Sequence, residues 1–261
     1  MITSRKNPFV QKARAAREGR ERELIFVEGL RLCEEAAAVR LEFEFVLYDP
    51  LLEDDERAAR LLGTLRGVCR QVLPAGRDVV ESASDTKTSQ GVVAVARRPR
   101  HLPSETPDGP HLVVVMHRVN NPSNAGAMLR VAEAAGATAV VATRGSTDLF
   151  SPRSLRGSMG SAFRLPVWAG PTLDEVLDWC AARGVRTVAA AAAAASAHTE
   201  LDWTAPRAVI LGPEAGGLSE EELRRADDSV RIPMRDPVES LNVATALAVL
   251  LYEAARQRNF K

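Results

Sequence analysis

In the second half of the chain, short apolar runs alternate with stretches of helical periodicity. "HLVVVM" (111–116), "TAVVAT" (138–143), "RAVIL" (207–211) and "SVRIPM" (229–234) read as strands. Between them, "NAGAMLRVAEAAGA" (124–137), "TLDEVLDWCAARG" (172–184) and "SEEELRRA" (219–226) read as helices, and a long terminal helix is expected from about Ser240. Thr172 stands where a helix N-cap is wanted and Gly184 where a helix stops. Ser219 and Glu222 have capping-box spacing. Near-continuous apolar strands alternating with helices imply a parallel sheet covered on both faces. In the first half, "LIFVEG" (24–29), "EFEFVLY" (42–48), "CRQVL" (69–73) and "GVVAVA" (91–96) read as strands, with a helix over "LRLCEEAAAV" (30–39). A small α/β domain of residues 1–98 follows, separated from a domain of residues 111–261 by a linker, 99–110, within a segment that carries four prolines.

The run "VAAAAAAASA" (188–197) has the strongest helix propensity in the chain. Its place in the alternation nevertheless calls for a short strand starting near Thr187, then a loop.

Composition narrows the class. A hydrophobic content of 46% supports a sizeable core, and a formal net charge of zero carries no global field for nucleic acid. The charge is unevenly spread: the first 22 residues hold seven cations against two carboxylates, a local +5, and "RRPRH" (97–101) is a second basic knot. Alone, each reads as a solvated face. Three dispersed cysteines without CxxC spacing argue against a disulfide framework, and four histidines without ligand spacing predict no metal. No signal-like or membrane-length apolar run is present, so a cytoplasmic protein is expected.

Nucleotide-binding readings fail on spacing. A dinucleotide fold needs GxGxxG directly after its first strand, but "HRVNNPSNAG" follows that strand here, and there is no GxxxxGK[ST]. The glycine-rich turn follows a late strand instead, in "ILGPEAGGLS" (210–219), with Glu214 in its middle, where a phosphate would be repelled.

Three stretches stand at or near strand C-terminal ends, where open α/β sheets bind ligands. They are "NNPSNAGAMLR" (120–130), "ILGPEAGGLS", and "IPMRDPVESLNVATALAVLLYEAARQR" (232–258). Together, in order and spacing, they resemble the three motifs of the SpoU/TrmH family of RNA ribose 2′-O-methyltransferases, of the SPOUT class. The first 36 residues or so resemble that family's appended RNA-binding domain. The resemblance implies a SPOUT-type parallel sheet with a C-terminal trefoil knot, preceded by a small α/β RNA-binding domain. It implies S-adenosyl-L-methionine as cofactor, held largely by main chain around Gly212, Ile232, Met234 and Leu241. The sulfonium of that cofactor is cationic, which removes the objection to Glu214.

The resemblance also implies a catalytic set of Asn124, Arg130, Glu214, Ser240 and Asn242, and a homodimer. By themselves these residues have plainer readings: a helix N-cap for Asn124, a surface cation for Arg130, an acid near a helix N-terminus for Glu214, and cap and first turn for Ser240 and Asn242. Arginine keeps its proton far above neutrality, so Arg130 is read as orienting a phosphate and stabilising an alkoxide rather than as a base. Asp236 stands where the family often has glycine. Arg5, Lys6, Arg153 and Arg156 are candidate RNA contacts, the latter two in a region read as a loop; few aromatics are present, so phosphate and shape contacts should dominate. The substrate expected is ribosomal RNA, with tRNA, a base methyltransferase, or a silent RNA-binding protein of the same fold as alternatives.

Overall fold

The computed structural model describes residues 1–100 and 111–259. Most of the expected linker, and His101 of the second basic knot, lie outside the described residues. The chain divides into two compact units: residues 1–99 with 150–164, and residues 100–149 with 165–261.

The first unit begins with α1 (Pro8–Arg17), β1 (Leu24–Glu28), α2 (Leu30–Ala38), β2 (Phe43–Tyr48), α3 (Glu56–Val68), β3 (Val72–Pro74), α4 (Arg77–Ala83) and β4 (Val92–Arg97). Its sheet has the order β1-β4-β2-β3; β4 is antiparallel to both neighbours, and β2 pairs with β3 in parallel. Val10, Ala13 and Ala16 of α1 recur every three residues and close one side of the core against Phe26, Phe45, Leu47, Val79 and Val93.

Three of the seven N-terminal cations are committed to this packing. Arg14 Nε donates to the Ser82 carbonyl at 3.0 Å, and Arg17 Nη1 to those of Ala83 and Ser84 at 3.2 and 2.7 Å. Lys12 pairs with Glu44 at 3.1 Å. The two arginines hold α1 on the end of α4, and Lys12 ties it to β2.

The second unit opens with β5 (Leu112–Met116), α5 (Pro122–Ala134) and β6 (Ala139–Ala142). Two short helices then belong to the first unit: α6 (Pro152–Ser158) and α7 (Ser161–Arg164). Here the expectation of a loop is corrected: Ser151 caps α6 through the Ser154 amide, and Pro152 starts it without a wasted donor. A segment inside the 111–261 block thus folds with the first unit.

The second unit continues with β7 (Val167–Ala169), α8 (Leu173–Ala182), β8 (Arg186–Ala190), β9 (Ser196–Ala197), β10 (Arg207–Leu211), α9 (Glu220–Arg225), β11 (Asp228–Arg231) and α10 (Val243–Gln257). The seven strands are all parallel, in the order β7-β6-β5-β10-β8-β11-β9. Val113, Val115, Ala208 and Ile210 pack with Val176 and Cys180 of α8, while the alternate Val114 and Val209 are fully buried too, so both faces are covered. Both expected caps form, Thr172 with Glu175 and Ser219 with Glu222. The alanine run forms a strand to Ala190 and then leaves it, as its position rather than its propensity required. The last helix starts three residues later than expected, because Asn242 is its cap.

From β5 the chain steps outward through β6 to β7, whereas β10 lies on the other side of β5 and leads to β11. The connections leaving β5 and β10 diverge, and this switch point is where parallel sheets open a crevice beyond their strand ends.

In α10, Glu253 accepts from Arg256 Nε and Nη2 at 2.8 Å and from Gln257 Nε2 at 2.7 Å. Arg256 above all, then Gln257, holds its carboxyl down at about 2, against an ordinary 4.5. A depressed carboxyl stabilises the fold above its unfolded value and loses that contribution as pH falls through the folded one. Glu253→Gln is therefore expected to lower the melting temperature near neutrality, with the gap to wild type closing as pH falls from 4.5 towards 2. Thermal scans across that range check it.

Candidate active site

The first motif begins where β5 ends. Asn121, not Asn124, caps α5: its side chain accepts from the amides of Ser123 at 2.9 Å and Asn124 at 3.4 Å, with Pro122 in the first helical position. Asn124 is thereby freed from capping and sits in the first turn, at the mouth of the crevice.

The Asn124 side chain is held at both ends. Its Nδ2 donates to Glu214 Oε1, and its Oδ1 accepts from Asn242 Nδ2 at 3.2 Å. Asn242 Oδ1 accepts in turn from the amides of Ala244 and Thr245, at 3.0 and 3.4 Å. One asparagine both caps α10 and fixes the neighbouring amide, and the chain of donors and acceptors leaves each carboxamide a single orientation. The three expected motifs thus meet at Asn124, Glu214 and Asn242.

Arg130 and Ser240 are not drawn into that chain. Both are exposed, and neither forms a side-chain hydrogen bond or ion pair among the described residues.

Beside the triad lies a cavity of about 700 Å³. All four residues expected to hold a cofactor, Gly212, Ile232, Met234 and Leu241, line it, together with Glu214, Ser240 and Asn242. Gly212 is there for lack of room: a Cβ on it would lie 2.7 Å from Gly217 C and Leu218 N, so the turn folds back on its own backbone. Gly216 and Gly217 complete the turn at φ of 84° and 63°, the left-handed region glycine enters freely. Residues 190–193, all alanine, form a wall that the motifs do not include. Their only signal in the sequence was the run itself, whose single-carbon side chains leave space. Asp236, the departure from the family pattern, is joined to Pro237 by a cis peptide bond and does not line the cavity.

The profile of the SpoU rRNA Methylase family matches residues 111–252, and that of the MRM3-like substrate binding domain matches residues 7–94. The chain belongs to the SpoU rRNA methylase family. A Bacillus subtilis (strain 168) relative, the 23S rRNA (guanosine(2553)-2′-O)-methyltransferase RlmP, is 31% identical over 254 residues, covering 96% of this chain and 97% of that protein. The 23S rRNA (uridine(2479)-2′-O)-methyltransferase of Streptomyces viridochromogenes is 33% identical over 82% of this chain and 76% of its own. Among solved structures, the SpoU methyltransferase AviRb from Streptomyces viridochromogenes in complex with AdoMet matches with a TM-score of 0.88 at 29% identity. That match covers 97% of this chain and 99% of the other. The AdoMet-bound rRNA methyltransferase from Sinorhizobium meliloti matches with a TM-score of 0.86 at 28% identity, over 98% and 97% of the two chains.

As in those SpoU structures, the second unit is a mixed α/β fold on a parallel sheet, preceded by a smaller domain with its own sheet. Among the described residues no cluster of three or more His, Cys, Asp or Glu is placed to hold a metal, and no helix is long and apolar enough to cross a membrane. Cys33, Cys69 and Cys180 are free and buried, and burial pushes the Cys33 and Cys180 thiols up to about 12, so none is poised as a nucleophile.

The four candidate RNA contacts all fall in the first unit. Arg5 meets Asp78 at 3.4 Å with both side chains exposed, and Lys6 is exposed. Arg156 meets Asp85 at 2.7 Å beside a smaller cavity of about 290 Å³ that Arg31, Thr86 and Gln90 also line. The Arg5–Asp78 pair is exposed and therefore weak, whereas Arg156 and Asp85 are half-buried.

Asn242 allows its two jobs to be separated. Asn242→Asp keeps an acceptor for the α10 amides but has no donor for Asn124; Asn242→Ala loses both. The aspartate variant is expected to melt like wild type while methyl transfer falls about tenfold, the equivalent of one hydrogen bond. The alanine variant should also lose about 1 kcal/mol of stability. Calorimetric melting and initial rates on the same preparations check this.

Proposed function

We propose that this protein transfers the methyl group of S-adenosyl-L-methionine to a ribose 2′-hydroxyl in ribosomal RNA. The observation that carries the reading is the convergence of three motifs on Asn124, Glu214 and Asn242 beside the Gly212 turn. The residues present suit the cofactor. The Gly212 cradle brings bare backbone to the ligand, Ile232, Met234, Leu241 and the alanine wall offer an apolar slot for adenosine, and Glu214 and Glu239 favour a cation. When bound, that cofactor supplies a methyl carbon already activated by its sulfonium.

The work left to the protein is to deliver the hydroxyl. Arg130 keeps its proton, so its role is to bind the phosphate next to the target ribose through its planar fork, and to stabilise the oxygen as it gives up its proton. Asn124, fixed from both sides, ties together Glu214 and Asn242 of the cavity wall, and Ser240 contributes an exposed hydroxyl to that wall. Arg5, Lys6, Arg153 and Arg156 of the first unit track the RNA backbone.

The enzyme acts as a homodimer, in the cytoplasm. Two observations support a second copy: Arg130 has no partner among the described residues, and Tyr252 of α10 is 53% exposed on a helix otherwise apolar over much of its circumference. The segment from Ile232 to α10 passes through the preceding connections as the trefoil knot of this family.

Ribosomal RNA is favoured over tRNA by the relatives, which modify 23S rRNA. Tritiated methyl transfer onto 23S, 16S and tRNA transcripts tests the reading, with label expected on 23S rRNA. Label confined to tRNA overturns the substrate. Label that persists when the target nucleotide carries deoxyribose overturns ribose chemistry.

A further inference from the structure

A second set of contacts ties the same strand ends together outside the cavity. Glu222 has the two oxygens of its carboxylate on different tasks. Oε2 accepts from the Ser219 amide at 2.8 Å and completes the cap of α9. Oε1 reaches across the sheet to the end of β5, where His117 Nε2 lies at 2.9 Å and Arg118 Nη2 at 2.7 Å. A cap alone needs only the first oxygen. The other face of the His117 ring is fixed as well: its Nδ1 lies 3.0 Å from Thr143 Oγ1, at the end of β6, and that hydroxyl accepts from the Arg118 amide at 3.2 Å. A ring proton on Nε2 donates to Glu222, and both ring nitrogens have a partner.

This cluster is buried where it matters. His117 is 6% and Thr143 2% exposed. Burial pushes the Glu222 carboxyl up, but the Ser219 amide and His117 outweigh it and keep the group below its ordinary range, so it is a charged acceptor near neutrality. Arg118 sits at φ 54°, a left-handed conformation that non-glycine residues adopt at a cost, and its amide and side chain are what Thr143 and Glu222 hold. From Arg118 the chain runs straight to Asn121 and Asn124; from Ser219 it runs back through Leu218 to Gly212 and Glu214.

We infer that Glu222 and His117 are positioning residues for methyl transfer, fixing the first-motif loop at a set distance from the glycine turn so that Asn124 and Glu214 meet. Neither lines the cavity. The set joins the ends of three adjacent strands, β6 and β5 directly and β10 through its turn. Reaction geometry is sensitive to displacements of about 1 Å.

The inference rests on the activity proposed above, and its test carries a readout independent of it. Glu222→Gln turns the acceptor for His117 and Arg118 into a donor while leaving an oxygen for Ser219. The variant is expected to lose about tenfold or more in kcat, with KM for 23S rRNA and melting temperature close to wild type. Amide hydrogen exchange should quicken in residues 119–124 and 212–218 and nowhere else. Adding His117→Gln restores a complementary amide pair, so the double variant should recover part of the rate. An unchanged kcat overturns the inference, as does a loss of rate that follows a general fall in melting temperature and protection. Should Glu222→Gln fail to fold, Arg118→Ala, at an exposed side chain, is expected to give the same local quickening of exchange, and normal exchange there overturns the inference. Local quickening in a protein whose wild type labels no RNA supports the positioning and counts against the activity instead.

Discussion

Arg130→Ala is expected to lower kcat for methyl transfer by about 100- to 10,000-fold, the range for removing a group that stabilises developing charge. The fold should not notice. Arg130 is exposed on α5 and its side chain makes no hydrogen bond or ion pair among the described residues, so melting temperature and S-adenosylmethionine affinity should stay at wild-type values. Arg130→Lys distinguishes charge from shape. Lysine keeps the cation but not the planar fork that grips a phosphate at two points, and its rate should fall between the other two. Steady-state rates with saturating RNA, with binding calorimetry on the same variants, decide the matter. An alanine variant within about threefold of wild type would remove Arg130 from the chemistry.

Gly212→Ala is expected to weaken cofactor uptake by about 100-fold or more, some 2.7 kcal/mol. The added carbon would meet Gly217 C and Leu218 N at 2.7 Å and Gly217 O at 3.0 Å. All three are backbone atoms with no rotamer to change, so the turn itself must open. Opening it displaces the residues of 212–218 that line the cavity and moves Glu214 away from Asn124. Gly216→Ala supplies the contrast: nothing lies within 4 Å of its added carbon, and only its φ of 84° opposes the change. It should cost about 1 kcal/mol through backbone strain and leave binding largely intact. Titration calorimetry with S-adenosylmethionine reads the difference, and so does the ligand-dependent rise in melting temperature, which vanishes when binding does. Equal affinities for wild type and Gly212→Ala would mean that the donor sits elsewhere.

Much of the site was legible because its parts are local. Proline after Asn121, serine three residues before Glu222, and glycines in a short turn each constrain the backbone within one or two helical turns, and each behaves in the structure as its type dictates. The misreadings are equally local in origin. Asn124 and Asn121 both suit a cap, and only the geometry of Pro122 chooses Asn121 and releases the other for the pocket. The polar composition of residues 151–164 reads as a loop, yet Ser151 and Pro152 start a helix there.

Legible from the chain alone were β1, α2, β2 and β4 of the first unit, β5, α5, β6, α8, β8, β10, α9, β11 and α10 of the second, the parallel sheet, the glycine turn and the family. These follow from periodicities of two and 3.6, from caps, and from motif spacing, all of which are properties of neighbouring residues. That β10 inserts between β5 and β8, that residues 150–164 fold with the first unit, and that the alanine run walls the cavity became visible in the packed fold. The same holds for the contacts that make the site: Asn124 finds Glu214 across 90 positions, and His117 finds Glu222 across 105. Such pairings depend on which strand ends lie side by side. That is settled by how all the apolar faces pack at once, and no local pattern along the chain encodes it.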